Sequence, residues 1–235
     1  MKYIFILVSL SLSSHLYGQQ STYIGFDVNV SHDIYAFMDE EKLLIPSPII
    51  SGSGGMIFRQ ELHKNISIET GLIYKLYSKG FGISGLPNSR FSFNAINTWQ
   101  IPVRFKTKVN ITKDIFSISP SIGYIFCINN SYYSGAGSGS RRSLGHLTIY
   151  SRNETSDYSL TRIFPLLETS IGFEFRVFKH SILTISPTYF IGFTKIIQLD
   201  IEYQKLGSST NLATAFTKGQ NLSLGLGLRF PIWLL

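Results

Sequence analysis

The stretch that decides the fold reads NLSLGLGLRF and spans residues 221–230. Its even-numbered positions, from Leu222 to Phe230, are all apolar, whereas its odd-numbered positions hold an asparagine, a serine, two glycines and an arginine. Successive side chains of a β-strand point to opposite faces, so such a strand has one apolar face and one small or polar face. About ten residues is also the length of a tilted strand that crosses a bilayer. The stretch therefore predicts a membrane-spanning strand.

The same alternation recurs along the whole chain. In the first such segment, Phe26 and Val28 alternate with Asp27 and Asn29. The second and fifth segments alternate less regularly than the others. The eight predicted strands are Tyr23–Val30, Ser51–Gln60, Ile66–Lys79, Trp99–Lys106, Phe116–Phe126, Leu167–Val177, Leu183–Thr194 and Leu222–Phe230.

The lengths of the connections distinguish between two all-β folds, a membrane barrel and a soluble sandwich, because the strands of both alternate with a period of two. Three connections are short, at residues 63–65, 110–114 and 179–181, and four are long, at residues 31–49, 80–91, 129–162 and 195–217. Short and long connections alternate, as in an up-and-down barrel with periplasmic turns and extracellular loops. A soluble Greek-key sandwich has no reason to sort its loops in this way. We therefore predict an eight-stranded antiparallel up-and-down transmembrane β-barrel with both termini in the periplasm.

The composition agrees with a chain whose surface is largely out of water. Hydrophobic residues make up 44% of the sequence, aromatic residues 14% and charged residues 15%, whereas soluble domains carry about 25% charged residues. Beyond the N-terminus, no apolar run approaches the roughly 20 residues that a spanning helix needs. The basic residues that give the net charge of +7 are dispersed, so we expect no nucleic-acid binding.

The N-terminus has the pattern of an export signal. Lys2 precedes the apolar run Tyr3–Leu12, and the small residue Gly18 follows. This order predicts a signal peptide over residues 1–18 and one barrel domain over residues 19–235. An uncleaved anchor helix is the alternative, although the run is short for one. The chain's single cysteine, Cys127, has no internal partner for a disulfide, and we predict that it is a small apolar residue in a strand.

Several short elements also resemble those of a known family. They are the first strand, the Gly54–Gly55 strand start, the Thr-Gly-Leu-Ile-Tyr strand at residues 70–74, and Gln100-Ile101-Pro102 with Arg104 and Phe105. Together with the signal peptide and the glycine-alternating last strand, this order resembles the PorT-like outer-membrane β-barrel family. The resemblance implies an outer-membrane barrel. It also implies an accessory role in a secretion machine, because the family's namesake is associated with type IX secretion.

Charged residues recur on the predicted inner face of the barrel. An eight-stranded barrel has an interior just wide enough to be filled by side chains, and buried charges must pair. We expect a structural plug of ion pairs, and a narrow polar conduit is the alternative. The predicted lumen residues are Arg59, Glu69, Lys75, Arg104, Lys106, Glu168, Glu174, Arg176 and Arg229.

Nothing in the sequence points clearly to catalysis. Neither a zinc-protease nor a nucleophile-elbow motif is present, and His32, His63, His146 and His180 show no metal-ligand spacing. We therefore expect no enzymatic activity, no cofactor and no metal site. A lipid A-modifying hydrolase, with His146 near Ser143 and Glu154, is the enzymatic alternative, since small outer-membrane barrels of that class exist.

The predicted outer loops are the remaining candidates for function. The glycine- and serine-rich stretch at residues 135–142 is predicted to be a flexible surface loop rather than a phosphate-binding loop, because it lacks the required lysine. Arg141 and Arg142 at its end match the geometry of lipopolysaccharide phosphates. We expect outer-membrane lipid, lipopolysaccharide and proteins that bind the loops as partners. The leading hypothesis is a structural or interaction barrel that presents four loops outward.

Overall fold

The computed structural model describes residues 21–46, 50–84, 86–112, 115–129, 140–144, 147–152, 162–178, 180–205 and 209–232. The predicted signal peptide lies outside the described residues. None of the described helices is long and apolar enough to cross a membrane. The described residues form fifteen strands: β1 (Thr22–Asp33), β2 (Ala36–Met38), β3 (Leu44–Pro46), β4 (Ile50–His63), β5 (Ile66–Ile83), β6 (Leu86–Thr107), β7 (Val109–Thr112), β8 (Phe116–Asn129), β9 (Ser140–Leu144), β10 (Leu147–Arg152), β11 (Ile163–Val177), β12 (Ser181–Gly192), β13 (Ile197–Lys205), β14 (Thr210–Thr217) and β15 (Asn221–Pro231).

Eight of these strands close into a barrel. In order around the barrel they are β1, β4, β5, β6, β8, β11, β12 and β15, and every neighbouring pair is antiparallel. The seam joins β1 to β15, from Tyr23 opposite Pro231 to Asp33 opposite Asn221. The prediction of a closed eight-stranded antiparallel up-and-down barrel is confirmed.

Alternate residues of each barrel strand face the outer surface and the lumen. Apolar side chains face outward, with Val28 62% and Leu224 58% exposed. The inward positions are small, polar or charged, and Glu69 and Arg229 are 1% and 2% exposed. This arrangement is the reverse of a soluble protein, and it matches a barrel whose outer surface contacts lipid.

The two ends of the barrel differ. At one end, which we call the turn end, β4 is joined to β5, β7 to β8, and β11 to β12 by short turns. Here β7 extends the turn predicted at residues 110–114 by a short strand that pairs with β8. At the other end, which we call the sheet end, the long connections leave the barrel.

The structure corrects the prediction that these long connections are loops. The connection predicted at residues 80–91 is instead a hairpin, because β5 runs on to Ile83 and β6 begins at Leu86. The other three long connections contribute β2, β9, β10, β13 and β14 to a second sheet, in the order β2-β14-β13-β10-β9. Arg141 and Arg142 therefore lie in β9, not in a flexible loop. Two of the pairings, β9 with β10 and β13 with β14, are hairpins within one connection. The other two, β10 with β13 and β14 with β2, join connections that are distant in sequence, which local patterning does not reveal.

Hydrogen bonds join the first long connection to the fourth next to the seam of the barrel. The Ile34 amide donates to Gln220 O (2.9 Å), and the Thr217 hydroxyl donates to Ile34 O (2.7 Å). Within the sheet, the Tyr203 hydroxyl donates to Asp39 Oδ1 (2.7 Å). Burial and this hydrogen bond raise the pKa of Tyr203, so the phenol stays protonated as a donor at neutral pH. The first and fourth long connections are thus held together as one unit.

Two adjacent glycines in β4 are expected to respond differently to substitution. A Cβ at Gly55 would lie 2.5 Å from Ile73 Cα and closer still to Leu72 O, whereas a Cβ at Gly54 would meet nothing nearer than Asp27 O at 3.5 Å. We expect Gly55→Ala to lower the free energy of unfolding by about 1–3 kcal/mol through overpacking against backbone. We expect Gly54→Ala to leave it unchanged or raise it by up to about 1 kcal/mol. Urea unfolding of both variants in detergent micelles measures the difference, and equal effects would contradict the close approach of β4 and β5.

Candidate functional site

The lumen is where the structure places most of the predicted charged residues. Eight of the nine are buried there: Arg59, Glu69, Lys75, Arg104, Lys106, Glu168, Glu174 and Arg229. The exception is Arg176, which is exposed at the turn end and is not part of the buried cluster. Arg176 has the same parity as the buried Glu174, but it lies one residue before the end of β11, where its side chain is exposed.

Arg104 bridges three carboxylates. Its Nε lies 2.8 Å from Glu168 Oε1, and its Nη1 lies 3.2 Å from Asp27 Oδ2 and 3.7 Å from Glu69 Oε2. The guanidinium is suited to this position because its N–H groups diverge in a plane and bind several oxygens at once. Strands β1, β5, β6 and β11 are thereby linked across the lumen.

Glu69 is a second point of convergence. Its Oε1 lies 3.3 Å from Lys106 Nζ and 3.7 Å from Arg229 Nε. Arg229 also reaches Asp27 across the seam, with 2.7 Å between Nη1 and Oδ1. Glycine at position 227 leaves room for that pair, because a Cβ there would lie 2.5 Å from Asp27 Oδ1. Gly227 therefore leaves space for a carboxylate from β1, and Gly225 leaves space for the side chains of Asn29 and Ser186.

Glu174 forms the part of this cluster nearest the turn end. Its Oε1 accepts from Arg59 Nη1 (2.8 Å) and from the Ser119 hydroxyl (2.9 Å), and lies 3.3 Å from Lys106 Nζ. Its Oε2 is buried and has no hydrogen-bond partner in the described part of the chain. Arg59 also lies 3.8 Å from the half-buried Glu61.

These contacts form one charge-balanced cluster, which we call the ion network. It contains four cations (Arg59, Arg104, Lys106 and Arg229) and four buried carboxylates (Asp27, Glu69, Glu168 and Glu174). Asp27 was missed as a member of the predicted set, although its parity places it on the inner face of β1. Because each charge is partnered, the cluster fits the requirement that buried ions be compensated.

Lys75 and Asp33 form a separate pair nearer the sheet end. Lys75 Nζ lies 3.0 Å from Asp33 Oδ1, and both side chains are almost fully buried. The ammonium also lies 4.6 Å from the ring centroid of Tyr77 and 5.8 Å from that of Phe190. Asp33 was missed because the predicted first strand ended at Val30, three residues short of the observed end of β1.

An apolar plug fills the lumen at the sheet end. It consists of Tyr77, Ile125, Cys127, Phe164, Leu166 and Ile196, with Phe190 packed against it. All but Ile196 come from barrel strands; Ile196 comes from the fourth long connection. Gly219 from the same connection packs closely here, since a Cβ on it would lie 2.9 Å from Leu166 Cδ2. Near this end the inward-facing positions thus include an apolar cluster beside the Lys75–Asp33 pair, and Gln100 Nε2 donates to the Tyr77 hydroxyl at its edge (3.3 Å).

A small cavity lies beside the ion network in the described part of the lumen. A polar cavity of about 20 Å³ is lined by side chains that include Asp27, Arg104, Thr188 and Phe190, which is room for roughly one water. No group of three or more metal-binding side chains occurs among the described residues. In these stretches the lumen is a packed interior.

The remaining candidate residues are spread over the molecule. His32 lies on β1, whereas His63 and His180 are exposed at the turn end; His146 lies outside the described residues. Cys127 is buried in the plug. For Arg141 and Arg142, only the backbone of β9 is described. The described histidines are therefore divided between the two ends of the barrel.

Comparisons with known proteins give only distant similarities. The sequence matches no protein-family model, so the PorT-like resemblance is not confirmed, and the comparison with curated proteins found no match. Among solved structures, the outer membrane protein OprG from Pseudomonas aeruginosa is 12% identical with a TM-score of 0.44, covering 90% of this chain and 96% of its own. Neisserial surface protein A is 12% identical with a TM-score of 0.39, covering 91% and 100%. A major outer membrane protein from Thermus thermophilus is 8% identical with a TM-score of 0.40, covering 88% and 98%. The barrel assignment rests on the strand pairing and not on these values.

Proposed function

We propose that this chain is an integral protein of a Gram-negative outer membrane, and that its barrel anchors the second sheet as a structural or interaction surface outside the cell. The observation that carries the proposal is the polarity of the two faces of the barrel: the exterior is apolar, and the interior contains buried, paired charges. Short turns on the periplasmic side are typical of such barrels. In this orientation the turn end and both termini lie in the periplasm, and the second sheet faces outward.

The filled lumen favours an anchor over a conduit. The ion network and the apolar plug occupy different levels of the same lumen, so a passing ion would have to displace both. Each is costly to open, because opening the first would leave buried charges unpaired and opening the second would separate closely packed apolar side chains. The proposal is therefore non-enzymatic and non-conducting, with the second sheet and the lipid-facing surface as the places where partners bind.

A planar-bilayer recording tests the proposed closed lumen. We expect the purified, folded barrel to give no discrete conductance steps, while its heat-modifiable migration on a gel shows that the same sample is folded. Reproducible steps would replace the anchor with the narrow conduit. Fractionation of the native membranes tests the location, and recovery in the inner membrane would overturn it.

Co-purification tests the interaction role. A stable large complex isolated from native membranes would support the accessory role in a secretion machine that the PorT-like resemblance implies.

Analysis of lipid A tests the enzymatic alternative. We expect the acyl chains of lipid A to be unchanged in a deletion strain, and an altered acyl-chain profile would favour the hydrolase.

A further inference from the structure

Three exposed cations lie at the sheet end of the barrel, and we call them the cationic rim: Arg162, Lys195 and Lys218. Arg162 directly precedes β11, Lys195 follows the end of β12, and Lys218 precedes the start of β15. These strands are neighbours in the order β11-β12-β15, and neighbouring strands lie about 5 Å apart. The cationic rim therefore occupies one side of the barrel.

Backbone pairing holds the two lysines of the cationic rim side by side. The Ile196 amide donates to Thr217 O (2.9 Å). Lys195 directly precedes the donor residue and Lys218 directly follows the acceptor residue, so the two lysines flank one hydrogen bond. An aromatic ring also positions Lys195, because its Nζ lies 4.5 Å from the ring centroid of Phe216. Two like charges held next to each other attract an anion to the space around them.

The positive charge of the cationic rim is not compensated by the described residues. The stretches 162–166, 189–196 and 217–222 contain no aspartate or glutamate. In the described part of the chain, none of the three cations forms an ion pair. Arginine binds a phosphate through two parallel N–H groups, and lysine binds it as a point charge. The cationic rim therefore presents three groups that are suited to phosphate.

The outer surface next to the cationic rim is apolar. Ile163 is 60% exposed, Phe193 56% and Leu222 56%. Each of the three lies within four residues of a rim cation along the chain. Exposed apolar side chains on the outer face of such a barrel contact lipid. A ligand that binds at the cationic rim therefore meets positive charge and an apolar surface together.

We propose that the cationic rim binds the phosphate groups of a phosphorylated glycolipid, the lipid A part of lipopolysaccharide. The phosphates lie against the three rim cations, and the acyl chains extend along Phe193 and Leu222. Lipid A carries two phosphate groups, so one molecule reaches several of the cations, and its acyl chains cover apolar side chains that an acidic protein would leave exposed. The proposal rests on the proposed function for one point only, namely that the sheet end faces the outer leaflet.

Native mass spectrometry of the purified, folded barrel with defined lipids tests the site. Lipid A, the same lipid A with its phosphates removed, and phosphatidylglycerol are offered in equal amounts in detergent micelles. The second keeps the acyl chains without the phosphates, and the third has a single phosphate. We expect lipid A to be retained roughly tenfold more than either, because several charge-assisted contacts are made only with it. Equal retention of lipid A and its dephosphorylated form, or of lipid A and phosphatidylglycerol, would overturn the proposal.

Variants assign the preference to the cationic rim. The double variant Lys195→Ala/Lys218→Ala is expected to lose most of the preference for lipid A. The control Lys64→Ala/Lys108→Ala removes two lysines at the turn end and is expected to keep it. An unchanged preference in the first variant, or an equal loss in both, would overturn the site. Heat-modifiable migration shows that each variant is folded, and the single variant Lys218→Ala takes the place of the double variant if that one does not fold.

The outcome is separable from that of the proposed function. The lipid measurement uses purified, folded barrel in detergent and does not depend on the membrane from which it came. Recovery in the inner membrane would overturn the location and leave the measured lipid selectivity unchanged. Lipid retention that does not depend on phosphate would overturn the cationic rim as a lipid A site and leave the location unchanged.

Discussion

Replacing Arg104 with methionine is expected to lower the free energy of unfolding by about 3–5 kcal/mol, the range for removing one partner of a buried ion pair. Glu168 is the carboxylate most affected. Both its oxygens lie within 3.0 Å of Arg104 Nε, and it has no other ion pair among the described residues. Asp27 and Glu69 keep Arg229, so they lose less. The urea midpoint of the folded barrel in detergent micelles measures the loss.

Two further variants separate charge balance from packing. Arg176→Met removes a cation of the same type that is exposed at the turn end, and we expect a change of no more than about 0.5 kcal/mol. Adding Glu168→Gln to Arg104→Met removes the orphaned charge and is expected to recover most of the lost stability. An Arg104→Met variant as stable as the unaltered protein would mean that water already compensates Glu168, and that the network does not hold the lumen together.

The Leu166→Ala variant is expected to lower the free energy of unfolding by about 2–5 kcal/mol. Leu166 has 0% exposure and lies at the centre of the apolar plug, in reach of Gly192 and Gly219. Truncation removes buried methyl groups and leaves a cavity, because the closed barrel strands around the plug cannot move inward to fill it. The urea midpoint in detergent micelles is again the measurement.

Its neighbour provides the matched control. Leu167 has the same side chain on the same strand but points to the outer surface, where detergent or lipid fills the space left by truncation. We expect Leu167→Ala to cost roughly 1–2 kcal/mol, the transfer part alone. Equal losses at the two positions would show that the plug is loosely packed, and would reopen the case for a conduit.

Most of the barrel was predictable because its determinants are local. Alternation over ten residues determines the face of the strand on which each side chain lies, and the alternating lengths of the connections indicate an up-and-down order of strands. Parity alone therefore places Glu69 and Arg229 in the lumen. Arg176 shows the limit of this argument, because parity gives the face of a residue but not its depth. The partners Asp27 and Asp33 share the inner parity, but pairing across the lumen depends on the stagger of strands, which sequence does not give.

The second sheet could not have been predicted by the same means. Its order depends on two pairings between connections that are far apart in sequence, β10 with β13 and β14 with β2. Such pairing depends on where the barrel holds the ends of each connection. The apolar plug could not be predicted for a similar reason, because one of its members, Ile196, lies outside the barrel strands. Both features depend on where the closed barrel places its connections, and the local sequence pattern does not show this.

The pairing of the first and last strands at the seam is the step that closes the barrel during folding. Each of the other barrel pairings joins one barrel strand to the next barrel strand along the chain, whereas the seam joins segments such as Phe26 and Arg229, which are 203 residues apart. Bringing such distant segments together costs roughly 2–3 kcal/mol more chain entropy than forming a ten-residue hairpin. The seam should therefore form last, and until then the backbone edges of β1 and β15 are both open to pairing with other chains. The period of greatest aggregation risk is the interval before NLSLGLGLRF meets the first strand.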